Sequence, residues 1–570
     1  MSIRSIMMSS SPSNTAPSTD GRGAIGTSDV HAAETPTVTI ASPAATVVGK
    51  SNGTIDTFNG IPFAHPPTDT DRFKPPRPIE TSLGLIMATN APTSCPNFIA
   101  NIKGGFPADI LGIIVNNPLI QNVTNMGEDC LTINVIRPAG IDISAKLPVV
   151  FWIYGGAFEL GSNGMYNGTD IVQYSTDSEK PVVFVAANYR VAGFGFLGGE
   201  EILADGASNV GLLDQRLALQ WVADNIERFG GDPSKVTIFG ESAGSMSVLD
   251  QMVLYDGDNI YNGKPLFRGA IMDSGSIYPT LPVDSEPAQE IYDAVVASAG
   301  CSSAVNTLSC LRSLDYSTML NALCSVPSFL SYYDIALSYL PRQDGKILTD
   351  ATDNLVRQGK ITKVPFIVGD QQDEGTLFAI FTSNISNTDD VIDYFTSIYY
   401  RNATSEIVSG LVGLYPDNPS AGAPYNTGIW NNWYPEFKRM AAIIGDILFI
   451  HQRRLFLQET SRLNPDVPSW SFLSSYDENT PIVGTTHGTD VLKLFFQSPL
   501  DESAKTILDY YLSFVYNLDP NVGSNRPNWP QWSTSGNMLT FLPSGTGILA
   551  DDFRSESYEY LVKNADSLRV

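Results

Sequence analysis

The residues best placed to do chemistry are Ser242 in Phe239-Gly240-Glu241-Ser242-Ala243-Gly244-Ser245, His487 in a late polar loop, and the carboxylates Asp370, Asp373 and Glu374. A serine hydroxyl is a weak nucleophile. It needs a base to take its proton, a carboxylate to orient that base, and N–H donors for the oxyanion that forms on attack. The β-forming residues 236–239 run straight into Gly240-x-Ser242-x-Gly244, and the sequence after Gly244 reads as a helix start. Ser242 is therefore expected on a tight strand-to-helix corner, with small residues on either side and its oxygen exposed at the sheet's edge. The pentapeptide is a weak signal in so Gly- and Ser-rich a chain, so its context has to decide.

Only four histidines can supply the base. His31 lies in an N-terminal leader, His65 stands between Ala64 and two prolines, and His451 falls in the apolar helical stretch 440–457, so each reads as structural. His487 follows both the serine and a strand-end carboxylate and lies outside a helix, in Gly484-Thr485-Thr486-His487-Gly488-Thr489-Asp490. Elimination makes it the base. The hydrophobic strand 364–369 ends in Asp370-Gln371-Gln372-Asp373-Glu374-Gly375, and a carboxylate at that end of a strand can orient a base. On this ground Asp370, Asp373 and Glu374 all compete. Gly155-Gly156-Ala157-Phe158 follows the strand 148–154, and such a loop frees N–H groups to converge on one spot, although it also reads as an ordinary glycine turn.

The elements that must hold these residues form a repeating pattern. Residues 38–40 and 45–48 alternate as short antiparallel strands, and 58–67 is a Pro-rich surface passage. Residues 127–135, 148–154, 182–188, 236–239, 270–272, 364–369 and 469–473 read as strands, with helical periodicity over 214–229. Strand, crossover helix, strand implies a parallel or mixed sheet covered by helices. Residues 285–360 and 380–465 read as mostly helical, and helices with an irregular tail finish the chain.

Bulk properties narrow the partners. A 570-residue chain with 43% hydrophobic and 16% charged residues is a globular protein, and no apolar run is long enough to span a bilayer. A net charge of −26 repels nucleic acid and anionic lipid, so an uncharged partner fits better, though acidity also serves as a solubility device. Cys95, Cys130, Cys301, Cys310 and Cys324 allow two bridges and one free thiol, and none forms a metal-type Cys-x-x-Cys. Sequons at Asn52, Asn122, Asn167, Asn384 and Asn402 suit a secreted glycoprotein. Residues 1–35 lack a signal-peptide core and read as a disordered leader, a propeptide or vector-derived residues outside the fold. Between Cys95 and Cys130, residues 106–115 and 118–120 are almost wholly apolar, as in a core element or an amphipathic flap tied at its base.

Together the motifs 58–67, 128–135, 154–158, 239–245, 369–376 and 487–490 are specific, and the chain after the leader resembles the type-B carboxylesterase/lipase family, within it the Candida rugosa and Geotrichum lipases. The resemblance implies an α/β-hydrolase fold: a large, mixed, mostly parallel central sheet with helices on both faces and a small N-terminal antiparallel sheet. It implies a single domain over residues 36–570 with a lid within 96–129. It implies Glu374 as the triad acid beside Ser242 and His487, and oxyanion N–H groups from Gly156, Ala157 and Ala243. It further implies disulfides Cys95–Cys130 and Cys301–Cys310, an unpaired Cys324, and an acyl-binding tunnel starting at Met246, Leu377 and Phe378. Ala157 departs from the third glycine common in the family, a change that keeps the N–H donor.

The expected function is that of a secreted lipase hydrolysing water-insoluble carboxylic esters through an acyl-enzyme, with lid opening at a lipid–water interface. A sterol esterase or broad carboxylesterase is the alternative, and a non-catalytic adhesion homologue is disfavoured because all three triad residues stand in place. No cofactor and no metal is expected, since the histidines are scattered. A monomer or weak homodimer is expected.

Overall fold

Residues that are apolar on every side in sequence become strands buried on both faces. The computed structural model describes residues 35–99, 123 and 125–570. Among these, the strands are β1 (Thr37–Ala41), β2 (Ala44–Val48), β3 (Lys50–Ser51), β4 (Ile55–Pro62), β5 (Gly84–Met87), β6 (Thr132–Pro138), β7 (Leu147–Ile153) and β8 (Val183–Ala187). There follow β9 (Gly231–Glu241), β10 (Ile260–Tyr261), β11 (Lys264–Pro265), β12 (Gly269–Asp273), β13 (Phe366–Gln371), β14 (Ser469–Ser474), β15 (Asn537–Leu542) and β16 (Gly545–Ala550).

Eleven of these form one sheet in the order β16-β15-β14-β13-β12-β9-β7-β8-β6-β4-β3. From β15 to β8 every neighbouring pair is parallel, and antiparallel pairs close both edges. Parallel strands need crossovers, which the helices supply while covering the sheet. Strands β8, β12, β13 and β14 are buried at every position, as such covering requires. Helices Ala243–Gly257 and Glu502–Asn517 both pack against β9. A separate three-stranded sheet, β1-β2-β5, sits at the start, with β1 and β2 antiparallel as expected. This is the α/β-hydrolase architecture that the sequence motifs imply.

Three expectations need correction. Residues 58–67 are not a surface passage: Phe58 and Ile61 lie in β4 of the large sheet, and both are fully buried. Asn59 and Gly60 interrupt the alternation because the pairing with β6 shifts register between Phe58 and Ile61. Residues 285–360 are less helical than their composition suggests, with helices at Glu286–Ser298, Thr307–Ser313, Tyr316–Leu323 and Thr352–Arg357 but none over 324–351. The end of the chain is not merely helices and tail, because β15 and β16 form a hairpin on the sheet's edge. That edge strand is largely exposed and Gly-rich, so it lacks the apolar signal of the inner strands.

The parallel run decides where chemistry can occur. Strands β7, β9, β13 and β14 all end on one edge of the sheet, so the segments that follow them converge there.

Candidate active site

The corner after β9 is strained in the way a presented nucleophile requires. Ser242 has φ 59° and ψ −127°, a region that L-residues rarely occupy, and helix Ala243–Gly257 starts at the next residue. Its N–H donates to Asp273 O at 2.9 Å and its carbonyl accepts from Met246 N at 2.9 Å, which fixes the strained residue from both sides. A Cβ on Gly240 would run into the backbone of Gly244, and one on Gly244 would meet the Ile153 carbonyl. Only glycine allows strand and helix to approach this closely.

His487 arrives from the loop after β14. Its Nε2 lies 2.8 Å from Ser242 Oγ and its Nδ1 lies 2.6 Å from Glu374 Oε2. In the neutral imidazole the carboxylate contact puts the proton on Nδ1 and leaves Nε2 to accept the serine O–H. Glu374 is buried, and its other oxygen accepts from Gln371 N at 2.7 Å. The ring of His487 is held between Phe378 and Phe449, with centroids 5.2 Å and 4.7 Å away.

Of the three competing carboxylates, only Glu374 reaches the histidine. Asp370 accepts from Arg453 Nε at 2.8 Å, within a buried cluster that includes Asp551. Asp373 accepts from Tyr425 N and Thr485 N at 2.8 and 3.0 Å. Neither of the other described histidines bonds a triad residue. His451 is fully buried with Nε2 on Ser557 Oγ, His65 is half-buried near β4, and His31 lies outside the described residues.

The loop after β7 brings Gly156 and Ala157 to the same corner. Gly156, Ala157 and Phe158 have φ 109°, 56° and 57°, so two non-glycine residues hold left-handed backbone in succession. Among the described residues, the N–H groups of Gly156 and Ala157 make no hydrogen bond, and Ala243 N heads a helix whose first N–H groups have no internal acceptor. A cavity of about 40 Å³ adjoins Ser242, walled by Ala157, Phe158, Met246, Phe378, Leu448 and Phe449 among others. Met246 and Phe378 thus line it, whereas Leu377 is buried and not in its wall.

Buried acids surround the histidine. Glu241 Oε1 lies 3.4 Å from His487 Nε2 and has no hydrogen-bond partner among the described residues. Burial pushes its carboxyl up to about 8, against the pull of His487. Tyr511 donates to Asp273 at 2.7 Å. Burial first, and Asp490 second, hold Asp273 well above the usual carboxylate range. Burial works to lower His487, but Glu374, then Glu241 and Asp490, outweigh it and push it up to about 9.

Sequence reasoning singled out neither Glu241, Asp273 and Asp490 nor Phe449. Glu241 and Asp490 stand inside quoted motifs, adjacent to Ser242 and three residues after His487, and that proximity was the available signal. Both expected disulfides are present, Cys95–Cys130 and Cys301–Cys310, and Cys324 is free. Asn52, Asn167, Asn384 and Asn402 are exposed; Asn122 and most of the 96–129 segment, residues 106–120 included, lie outside the described residues. No group of side chains among the described residues could hold a metal ion, and no helix among them is long and apolar enough to cross a membrane.

Known proteins resemble most of the chain. Residues 34–560 match the model of the carboxylesterase family. Secreted lipase 1 of Botryotinia fuckeliana is 55% identical, over 94% of this chain and 94% of its own. Secreted triacylglycerol lipase LIP1 of Gibberella zeae is 52% identical, over 94% and 91%. Lipase 4 of Diutina rugosa is 43% identical, over 95% and 98%. Among solved structures, Aspergillus niger EstA superposes with a TM-score of 0.78 at 29% identity, covering 95% of this chain and all of that one. The chain therefore belongs to the carboxylesterase family, as a secreted serine carboxylic-ester hydrolase with the α/β-hydrolase fold.

Proposed function

We propose that this enzyme is a lipase that cleaves triacylglycerols and related water-insoluble esters through a Ser242–His487–Glu374 triad. The observation that carries the reading is the continuous chain of contacts from Ser242 Oγ through both nitrogens of His487 to Glu374. His487 Nε2 takes the serine proton as Oγ attacks the ester carbonyl, and Glu374 steadies the imidazolium without itself taking the proton. The developing oxyanion falls to the N–H groups of Gly156, Ala157 and Ala243. Collapse expels the alcohol, protonated by His487, and leaves an acyl group on Ser242. Water then attacks that ester with the same base, and the fatty acid departs.

The apolar wall of the cavity beside Ser242 supports an acyl chain as the group held there. The names of the Botryotinia, Gibberella and Diutina proteins support lipid esters over small soluble ones. The Cys95–Cys130 bridge closes the base of the segment 96–129, whose apolar sequence suits a lid opened by a lipid–water interface. The test is a panel of triolein, cholesteryl oleate and p-nitrophenyl butyrate, with and without emulsified surface. Triolein is expected to dominate, with rates rising steeply once tributyrin passes its solubility limit. A linear rise across that limit removes the lid mechanism, and a preference for cholesteryl oleate or the soluble ester replaces the lipase reading. A phosphonate ester should label the wild type and leave Ser242→Ala unlabelled.

A further inference from the structure

Residues 422–435 contain no charged side chain, in a protein of net charge −26, and they carry two tryptophans and two tyrosines. At the tip, Ile429 is 66% exposed and Trp430 is 75% exposed. Large apolar residues this open to water are uncommon when adjacent, and they mark a surface that something covers.

The tip is held rigidly. Lys438 reaches up into the loop, and its Nζ donates to Thr427 Oγ1 at 2.5 Å, Gly428 O at 2.9 Å and Trp430 O at 3.3 Å. Asn431 accepts from Ile482 N at 3.1 Å, and Thr427 donates to Pro424 O at 2.8 Å. A buried ammonium bonded to three acceptors of one turn holds that turn with Ile429 and Trp430 outward.

The loop is also tied to the catalytic walls. Tyr425 N donates to Asp373, the residue before Glu374, and Ile482 belongs to the segment leading to His487. Tyr434 donates to Ala379 O at 3.0 Å and bonds Thr382, at the end of the segment that carries Phe378. The tip therefore stands beside the segments that bring the acid, the base and the acyl-side wall to one edge of the sheet.

We propose that Ile429 and Trp430 form a fixed anchor that inserts into a neutral lipid–water interface and seats the catalytic edge on it. Tryptophan favours this boundary because its ring is apolar and its N–H can stay in the wet layer. The absence of charge over 422–435 suits an electrically neutral surface, and the acidity of the whole protein disfavours an anionic one. The anchor rests on the lipase reading only for the identity of the surface.

Partitioning of Ser242→Ala onto triolein droplets coated with phosphatidylcholine, measured by flotation, tests this without turnover. Adding Ile429→Ser and Trp430→Ser should weaken partitioning by about tenfold or more, given the apolar area lost. Val305→Ser, an exposed apolar loss within the Cys301–Cys310 loop, should leave partitioning unchanged. With Ser242 intact, the double variant should keep its rate on p-nitrophenyl acetate below saturation and lose rate on the emulsion. Unchanged partitioning overturns the proposal, as does an equal loss on soluble and emulsified substrate. A shift in oligomeric state with unaltered partitioning also overturns it, because the tip is then a contact between copies. If the wild type hydrolyses no ester the lipase reading fails, while the flotation result still decides the anchor.

Discussion

His487 Nδ1 sits 2.6 Å from Glu374 Oε2, whereas Asp373, one residue earlier, turns its carboxylate onto the backbone N–H groups of Tyr425 and Thr485. Two neighbouring acids thus meet different partners, one the imidazole and the other the backbone of the loops beside it.

Glu374→Gln should therefore lower kcat by roughly 10³–10⁴-fold, by analogy with loss of the orienting acid in other triads. Asp373→Asn keeps an oxygen for one backbone donor, and its kcat should stay within about tenfold of the wild type, with a lower Tm. Steady-state kinetics on p-nitrophenyl butyrate and thermal melts separate the two. Equal kinetic losses would assign Asp373 a place in the chemistry.

The base must be neutral to accept the serine proton, so kcat/KM rises with pH as His487 loses its proton. Burial alone would place that limb below the ordinary imidazole value of 6.5, but Glu374 and then Glu241 raise it. Removing a negative neighbour removes support for the imidazolium, so the limb moves to lower pH. Glu374→Gln should move it furthest, and Glu241→Gln should move it less. A limb that moves upward in Glu241→Gln would contradict the position of that carboxyl beside Nε2.

Asp551 bears on stability through Arg453, which also grips Asp370 at the end of β13. Asp551 accepts from Arg453 at 2.7 and 2.9 Å and from Arg454 at 2.9 Å, all in a buried setting. Burial opposes its ionisation, yet the two arginines override it and hold the carboxyl down to about 2, against the usual 3.8. A depressed folded-state pKa stabilises above the unfolded value, and that contribution disappears as pH falls from 3.8 through about 2. Asp551→Asn should cost about 3 kcal/mol at pH 7, since it leaves buried guanidinium groups underpaired. Urea titrations at pH 7 and pH 3 should show the difference shrinking at the lower pH.

Leu337 and Tyr278 wall the small cavity beside Ser242 and also a second cavity of about 370 Å³. The first holds little more than about one water, so a long acyl chain needs more room than it offers, and the second cavity lies across shared walls. Leu337→Ala should join the two spaces and raise kcat/KM for palmitoyl over butyryl p-nitrophenyl esters by roughly tenfold, the scale set by a few methylenes of apolar contact. An unchanged ratio would mean that the chain leaves Ser242 by another route.

The sequence by itself determined the local devices. The elbow at Ser242, the Gly-Gly turn at 155–156 and the apolar strands leading into them are short-range patterns. Their geometry follows from β propensity, glycine's backbone freedom and the parallel-sheet rule. His487 was legible because only four histidines exist and three sit in unsuitable surroundings.

Tertiary structure decided what depends on distance between remote segments. Asp370, Asp373 and Glu374 are equivalent in a linear reading, and only the packing of the 480–487 loop against Asp373 and the site of Arg453 separate their roles. The same holds for the buried acids Glu241, Asp273 and Asp490, contributed by β9, by β12 and by the residues after His487. Their charge states arise from shared burial, which no local spacing encodes. The exposed pair at Ile429 and Trp430 is likewise invisible in sequence, where two apolar residues read as core until the fold leaves them in water.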